Sequence, residues 1–116
     1  MSEITIYHNP RCSKSRQTLE LLGRHGAEAD IVEYLETPPD AGQLAEILDL
    51  LGMQPRELMR SNEAEYAANG LDDPGLSREQ LIQAMVDHPG LIQRPIVLCK
   101  GRAALGRPPE NVLEIL

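Results

Sequence analysis

The chain has 116 residues, 41% of them hydrophobic, with a formal charge of −7. That length supports one domain, and with three Tyr but neither Trp nor Phe its core must be aliphatic. The acidic balance argues against nucleic-acid and membrane-surface binding, and no run of about 20 apolar residues is present to cross a bilayer.

In chain order, Glu3 to Tyr7 alternates in polarity, is β-branched and reads as a strand. His8-Asn9-Pro10 breaks it, and Ser13 to His25 follows as a helix with Leu19, Leu21 and Leu22 inward and Gly26 as its stop. Ile31 to Leu35 reads as a second strand closed by Thr37-Pro38-Pro39, which completes a βαβ opening. Leu44, Ile47, Leu48 and Leu51 form the stripe of a helix that ends at Gly52. Pro55 starts a short helix reaching about Arg60. Residues 61–76 are polar and turn-rich, so loop is expected, with at most a short helix over residues 63–68. Ser77 and Gln80 make a capping box for a helix carrying Leu81, Ile82 and Met85, and His88-Pro89-Gly90 stops it. Ile96-Val97-Leu98-Cys99 is a buried strand, Lys100-Gly101 turns it into a hairpin with residues 102–105, and Pro108-Pro109 opens a last helix with Val112, Leu113 and Leu116 inward. This order predicts an α/β, thioredoxin-like fold as one domain over residues 1–116, with βαβ and ββα halves around a mixed sheet and a helical insertion at about 40–90.

Cys12 follows a strand and sits at a helix start, where unpaired backbone N–H groups and the helix dipole favour a thiolate. His8, Arg11, Lys14 and Arg16 add nearby positive charge, and Ser13 and Ser15 are positioned to donate to the sulfur. The motif is Cys-Ser-Lys-Ser, so the second cysteine of a Cys-x-x-Cys pair is absent and Cys12 must finish its chemistry with an outside thiol. Cys99 lies in an apolar strand and reads as an inert small hydrophobe. His8 has two readings, lowering the thiol pKa or hydrogen-bonding its own loop. His25 and His88 carry no expected chemistry, and no cluster has metal-ligand spacing. Two cysteines and an opening with no charged, apolar leader point to a cytoplasmic, reducing setting.

Arg60 follows a short helix, while Arg94 and Arg107 each precede a proline, which holds them extended. Arginine offers a planar fork of donors suited to tetrahedral oxyanions. Ile-Thr-Ile-Tyr-His-Asn-Pro-Arg-Cys at 4–12, Ser15-Arg16, Tyr-Leu-Glu-Thr-Pro-Pro at 34–39, Arg60, His88-Pro89, Arg-Pro-Ile-Val at 94–97 and Arg107-Pro108 together closely resemble the glutaredoxin-linked arsenate reductase family (ArsC type). The resemblance implies Cys12 as nucleophile, His8 and Ser15 as its support, Arg60, Arg94 and Arg107 as oxyanion ligands, and Pro95 as a cis-proline facing the thiol. It implies reduction of arsenate through a Cys12–arsenate adduct, with glutathione as co-substrate, glutaredoxin as partner and no bound cofactor. A monomer is expected. Because the chain ends at Leu116, the resemblance is to the short chromosomal branch without the C-terminal extension of dedicated resistance enzymes. Lys14 stands where those enzymes carry small, uncharged residues.

Two other readings compete. One is a glutathione-dependent thiol oxidoreductase acting on another substrate. The other is an RNA polymerase-binding regulator of the same fold, whose redox switch needs the cysteine that Ser15 replaces.

Overall fold

The structure is a computed structural model and describes residues 3–116. It divides into two compact units: the chain through Thr37 together with Arg94–Leu116, and Pro38–Gln93.

The first unit is built on four strands, β1 (Ile4–His8), β2 (Ala29–Glu33), β3 (Ile96–Cys99) and β4 (Arg102–Leu105), in the order β2-β1-β3-β4. β1 runs parallel to β2, from Ile4 opposite Ala29 to His8 opposite Glu33, and antiparallel to β3. β3 pairs antiparallel with β4. The sheet is therefore mixed, and the chain has the α/β, thioredoxin-like architecture expected of it. α1 (Ser13–Arg24) supplies Leu22 to a core shared with Ile6, Val97, Cys99, Val112 and Ile115. Ile6, Tyr7 and His8 are buried in succession along β1, with Ile6 fully inside, and the continuous apolar run of β3 buries Ile96 and Val97 together.

β1 runs one residue later than read and takes in His8, the helix from Pro55 ends at Leu58 short of Arg60, and three further boundaries differ from the sequence reading. β2 lies two residues earlier, because Glu36 and Thr37 both donate to the Glu33 carbonyl, at 3.0 and 2.9 Å, and turn the chain there. The last helix is a 3-10 helix over Pro109–Ile115. Its buried residues, Pro109, Val112 and Ile115, recur every third position as three residues per turn require, so Leu116 faces outward and Leu113 is only partly covered. His88-Pro89-Gly90 does stop a helix, but the chain continues into a 3-10 turn at Pro89–Leu91.

The two-residue turn between β3 and β4 has positive φ at both centres, 52° at Lys100 and 76° at Gly101. That geometry matches the right-handed twist of the flanking strands, but it suits glycine or asparagine and strains lysine. Lys100→Asn is expected to stabilise the fold by about 0.5 kcal/mol, read as a higher urea midpoint at constant slope. An unchanged or lower midpoint refutes this.

The second unit holds α2 (Ala41–Leu51), α3 (Pro55–Leu58), α4 (Ala64–Ala68) and α5 (Arg78–Asp87). Capping boxes at Asp40/Gln43 and Ser77/Gln80 start α2 and α5, which pack on each other through faces that include Leu44, Ile47, Leu48, Leu81, Ile82 and Met85. α4 buries no side chain. Arg56 holds its surroundings by donating to the Tyr66 hydroxyl and to the Leu71 and Asp73 carbonyls.

Candidate active site

β1 ends at His8, and a tight turn carries the chain from Asn9 to Cys12. The Cys12 amide donates to the Asn9 carbonyl and the Arg11 amide to Asn9 Oδ1, both at 3.0 Å. The turn leaves Cys12 as N-cap of α1, in extended conformation, with no side-chain hydrogen bond to the helix start. The first amides of α1 are therefore available to the sulfur.

Burial alone pushes the Cys12 thiol up. The Ser15 amide, the hydrogen bond and charge of Arg94, and the Lys14 amide override it, so the net shift is downward. Arg107 adds an Nη2–H that points at Cys12 Sγ from 3.9 Å. Cys12 is 9% exposed, so the sulfur is recessed without being sealed.

Ser15 acts differently from the sequence expectation. Its hydroxyl accepts from the Asn9 amide at 3.0 Å and sits 2.6 Å from His8 Nδ1, while its backbone amide faces the sulfur. Burial lowers the His8 pKa, partly offset by Glu33, so His8 is neutral at neutral pH. The Ser15 hydroxyl and Nδ1 of this neutral ring share one hydrogen bond, whose donor is set by the imidazole tautomer. The side-chain contact of His8 is thus with Ser15 of α1, whose hydroxyl in turn holds the Asn9 amide of the loop. The cationic part expected of His8 falls to the arginines instead.

The two Arg-Pro pairs meet. Both the Arg94–Pro95 and Arg107–Pro108 peptides are cis; the second has no counterpart in the sequence reading. Arg107 Nε donates to the Arg94 carbonyl at 2.8 Å, and the Gly106 amide donates to the Pro95 carbonyl at 2.9 Å. These bonds tie the two segments together beside the thiol. Arg94 Nε is buried with no hydrogen-bond partner. A buried, unsatisfied guanidinium donor is costly unless something anionic meets it. Two arginines around a low-pKa sulfur thus form a cationic recess suited to a tetrahedral oxyanion within reach of a nucleophile.

Cys12, His8, Ser15, Arg94, Pro95 and Arg107 all belong to the first unit. Arg60 belongs to the second, just past α3, where its amide donates to the Leu91 carbonyl at 2.7 Å and its guanidinium pairs with Glu63. Cys99 is free and 2% exposed within the core. Among the described residues no group of three His, Cys, Asp or Glu is placed to hold a metal, and no helix is long and apolar enough to cross a membrane.

Fold and recess together define a thioredoxin-like protein with one activated thiol set against arginines. The sequence pattern of the ArsC family matches residues 7–115, and the chain belongs to that family. It is 57% identical to the uncharacterized protein YfgD of Escherichia coli, over 98% of this chain and 97% of that one. It is 50% identical to an arsenate reductase of Neisseria meningitidis serogroup A, with both chains covered in full. The solved arsenate reductase of Vibrio cholerae is 49% identical and superposes with a TM-score of 0.95 over 97% of each chain.

Proposed function

We propose that this protein is an arsenate reductase whose electrons come from thiols, with glutathione as co-substrate and glutaredoxin as partner. The reading is carried by the Cys12 sulfur lying 3.9 Å from Arg107 Nη2 beside an Arg94 whose Nε has no partner. It draws further support from full-length relatives named arsenate reductase. Arg94 and Arg107 bind arsenate, and Arg60 is assigned to the same anion by the family resemblance. His8, through Ser15, fixes the turn that presents the thiolate.

The chemistry balances simply. The Cys12 thiolate attacks As(V), and one arsenate oxygen leaves as water, giving a sulfur–arsenic bond. A glutathione thiol attacks that sulfur, the electron pair of the sulfur–arsenic bond goes to arsenic, and arsenite forms. A disulfide between Cys12 and glutathione remains, and glutaredoxin returns Cys12 to the thiol. Overall, arsenate and two thiols become arsenite, one disulfide and one water. No second protein cysteine is required, in keeping with Ser15 where a resolving cysteine would stand.

The test is a coupled assay with purified protein, arsenate, glutathione, glutaredoxin and an NADPH-linked glutathione reductase. Arsenate-dependent NADPH oxidation with arsenite as product is expected. Absence of arsenite above a protein-free control overturns the reading.

A further inference from the structure

Arg56 lies in α3 and Arg60 four positions on, past the end of that helix, and the two are used in opposite ways. Arg56 is spent on structure, since its donors hold a hydroxyl and two carbonyls. The Arg60 guanidinium is held by a single carboxylate, that of Glu63, across a turn closed by the Glu63 amide donating to the Arg60 carbonyl at 3.1 Å.

Glu63 occupies the N-cap position of α4, where a side chain is ordinarily best used to accept from the helix's free amides. It makes no such bond, and its carboxylate goes to Arg60 instead. The pair is part exposed, at 20% for the Arg60 side chain and 36% for Glu63, so an incoming anion can exchange with the carboxylate. A pair this open is weakly held.

We infer that Glu63 is an exchangeable counter-ion for Arg60 and a specificity-determining residue for the oxyanion. This rests on the reading that Arg60 takes part in binding the substrate anion. With no substrate, Glu63 neutralises Arg60. A tetrahedral dianion brings two negative charges and several acceptor oxygens, and it displaces a monocarboxylate. A monovalent anion carries no more charge than Glu63 and does not. The carboxylate thereby sets a threshold that favours arsenate-like dianions over monovalent anions, at some cost in affinity for both.

The experiment compares the full-length wild-type chain, Glu63→Gln and Arg60→Ala. One readout is the arsenate KM and kcat. The other is protection of Cys12 from iodoacetamide by inorganic phosphate, with nitrate as the monovalent probe, and it needs no turnover. Glu63→Gln keeps the side-chain shape and removes the charge. It is expected to lower the arsenate KM about threefold at unchanged kcat, the scale of a part-exposed ion pair, and to let nitrate protect where it does not in the wild type. Arg60→Ala is expected to raise KM and weaken phosphate protection. If Arg60→Ala changes neither, Arg60 does not bind the anion, and the reading beneath this inference fails with it. If Arg60→Ala weakens binding but Glu63→Gln leaves KM and nitrate selectivity unchanged, or raises KM, Glu63 merely orients Arg60 and the inference is overturned.

Discussion

Cys12→Ser is expected to reduce arsenate turnover by about a thousandfold or more, because serine's hydroxyl has no accessible anion near neutral pH and cannot form the disulfide that closes the cycle. A companion measurement isolates the cause. The rate of iodoacetamide alkylation of the wild-type protein should follow a titration whose midpoint lies below that of a free thiol, about 8.5. The sign follows from the balance of causes already described. Burial opposes the thiolate, but the Ser15 amide and Arg94 outweigh it. Linkage gives a second consequence. A group whose folded pKa is depressed stabilises the fold above its unfolded pKa, and that contribution fades as pH falls through the folded value. Stability should therefore rise with pH across the interval between the two thiol pKa values, and Cys12→Ser should flatten that rise. An alkylation midpoint at or above the free-thiol value would remove the activated nucleophile from the account.

The second large effect is expected at Arg107. Arg107→Ala removes the donor 3.9 Å from the sulfur and also the Nε–H that holds the Arg94 carbonyl. Loss of a charge beside the thiolate should raise the alkylation midpoint. Loss of the oxyanion donor should cut kcat/KM by about a hundredfold. Arg107→Lys separates the two. It returns the positive charge, so most of the midpoint shift should reverse, but a point-charge ammonium cannot reproduce the two-sided fork, so kcat/KM should remain low. If Arg107→Lys restored kcat/KM fully, charge alone would be the requirement. If Arg107→Ala left both readouts unchanged, the recess would have to be assigned to other residues.

Much of this molecule is visible in its residues, for reasons that differ from place to place. The turn from His8 to Cys12 is local, and proline, asparagine and a following helical stripe mark it within ten positions. The apolar run at 96–99 and the capping box at Ser77 and Gln80 are equally local signals. β2 is less legible because its end depends on hydrogen bonds to the Glu33 carbonyl, and Tyr34 and Leu35 look strand-like in isolation. The C-terminal helix misleads because residues 112, 113 and 116 fit an α-helical stripe, whereas the side chains that pack are 109, 112 and 115. At the site, the approach of Arg107 to Cys12 spans 95 positions, and no spacing rule reaches that far; family resemblance was the only signal for it. The part played by Ser15 was hidden for the opposite reason. It is so near the thiol in sequence that a direct bond to sulfur looked natural, while three-dimensional placement aims its hydroxyl at His8. Glu63 lacked any mark at all, being one of 18 acidic residues in an acidic chain.

Position 12 also sets a trap for anyone improving this protein by selection. α1 begins on a cysteine, whose sulfur is a weaker acceptor for the first amides of the helix than a side-chain oxygen. Serine, asparagine or aspartate there would supply a stronger oxygen acceptor and strengthen the helix by about 1 kcal/mol. A screen scored on heat resistance or expression alone would thus enrich for replacements of Cys12, and each gain would be an inactive protein. Robustness and turnover compete for the same side chain, so a library of this fold needs an activity readout in every round.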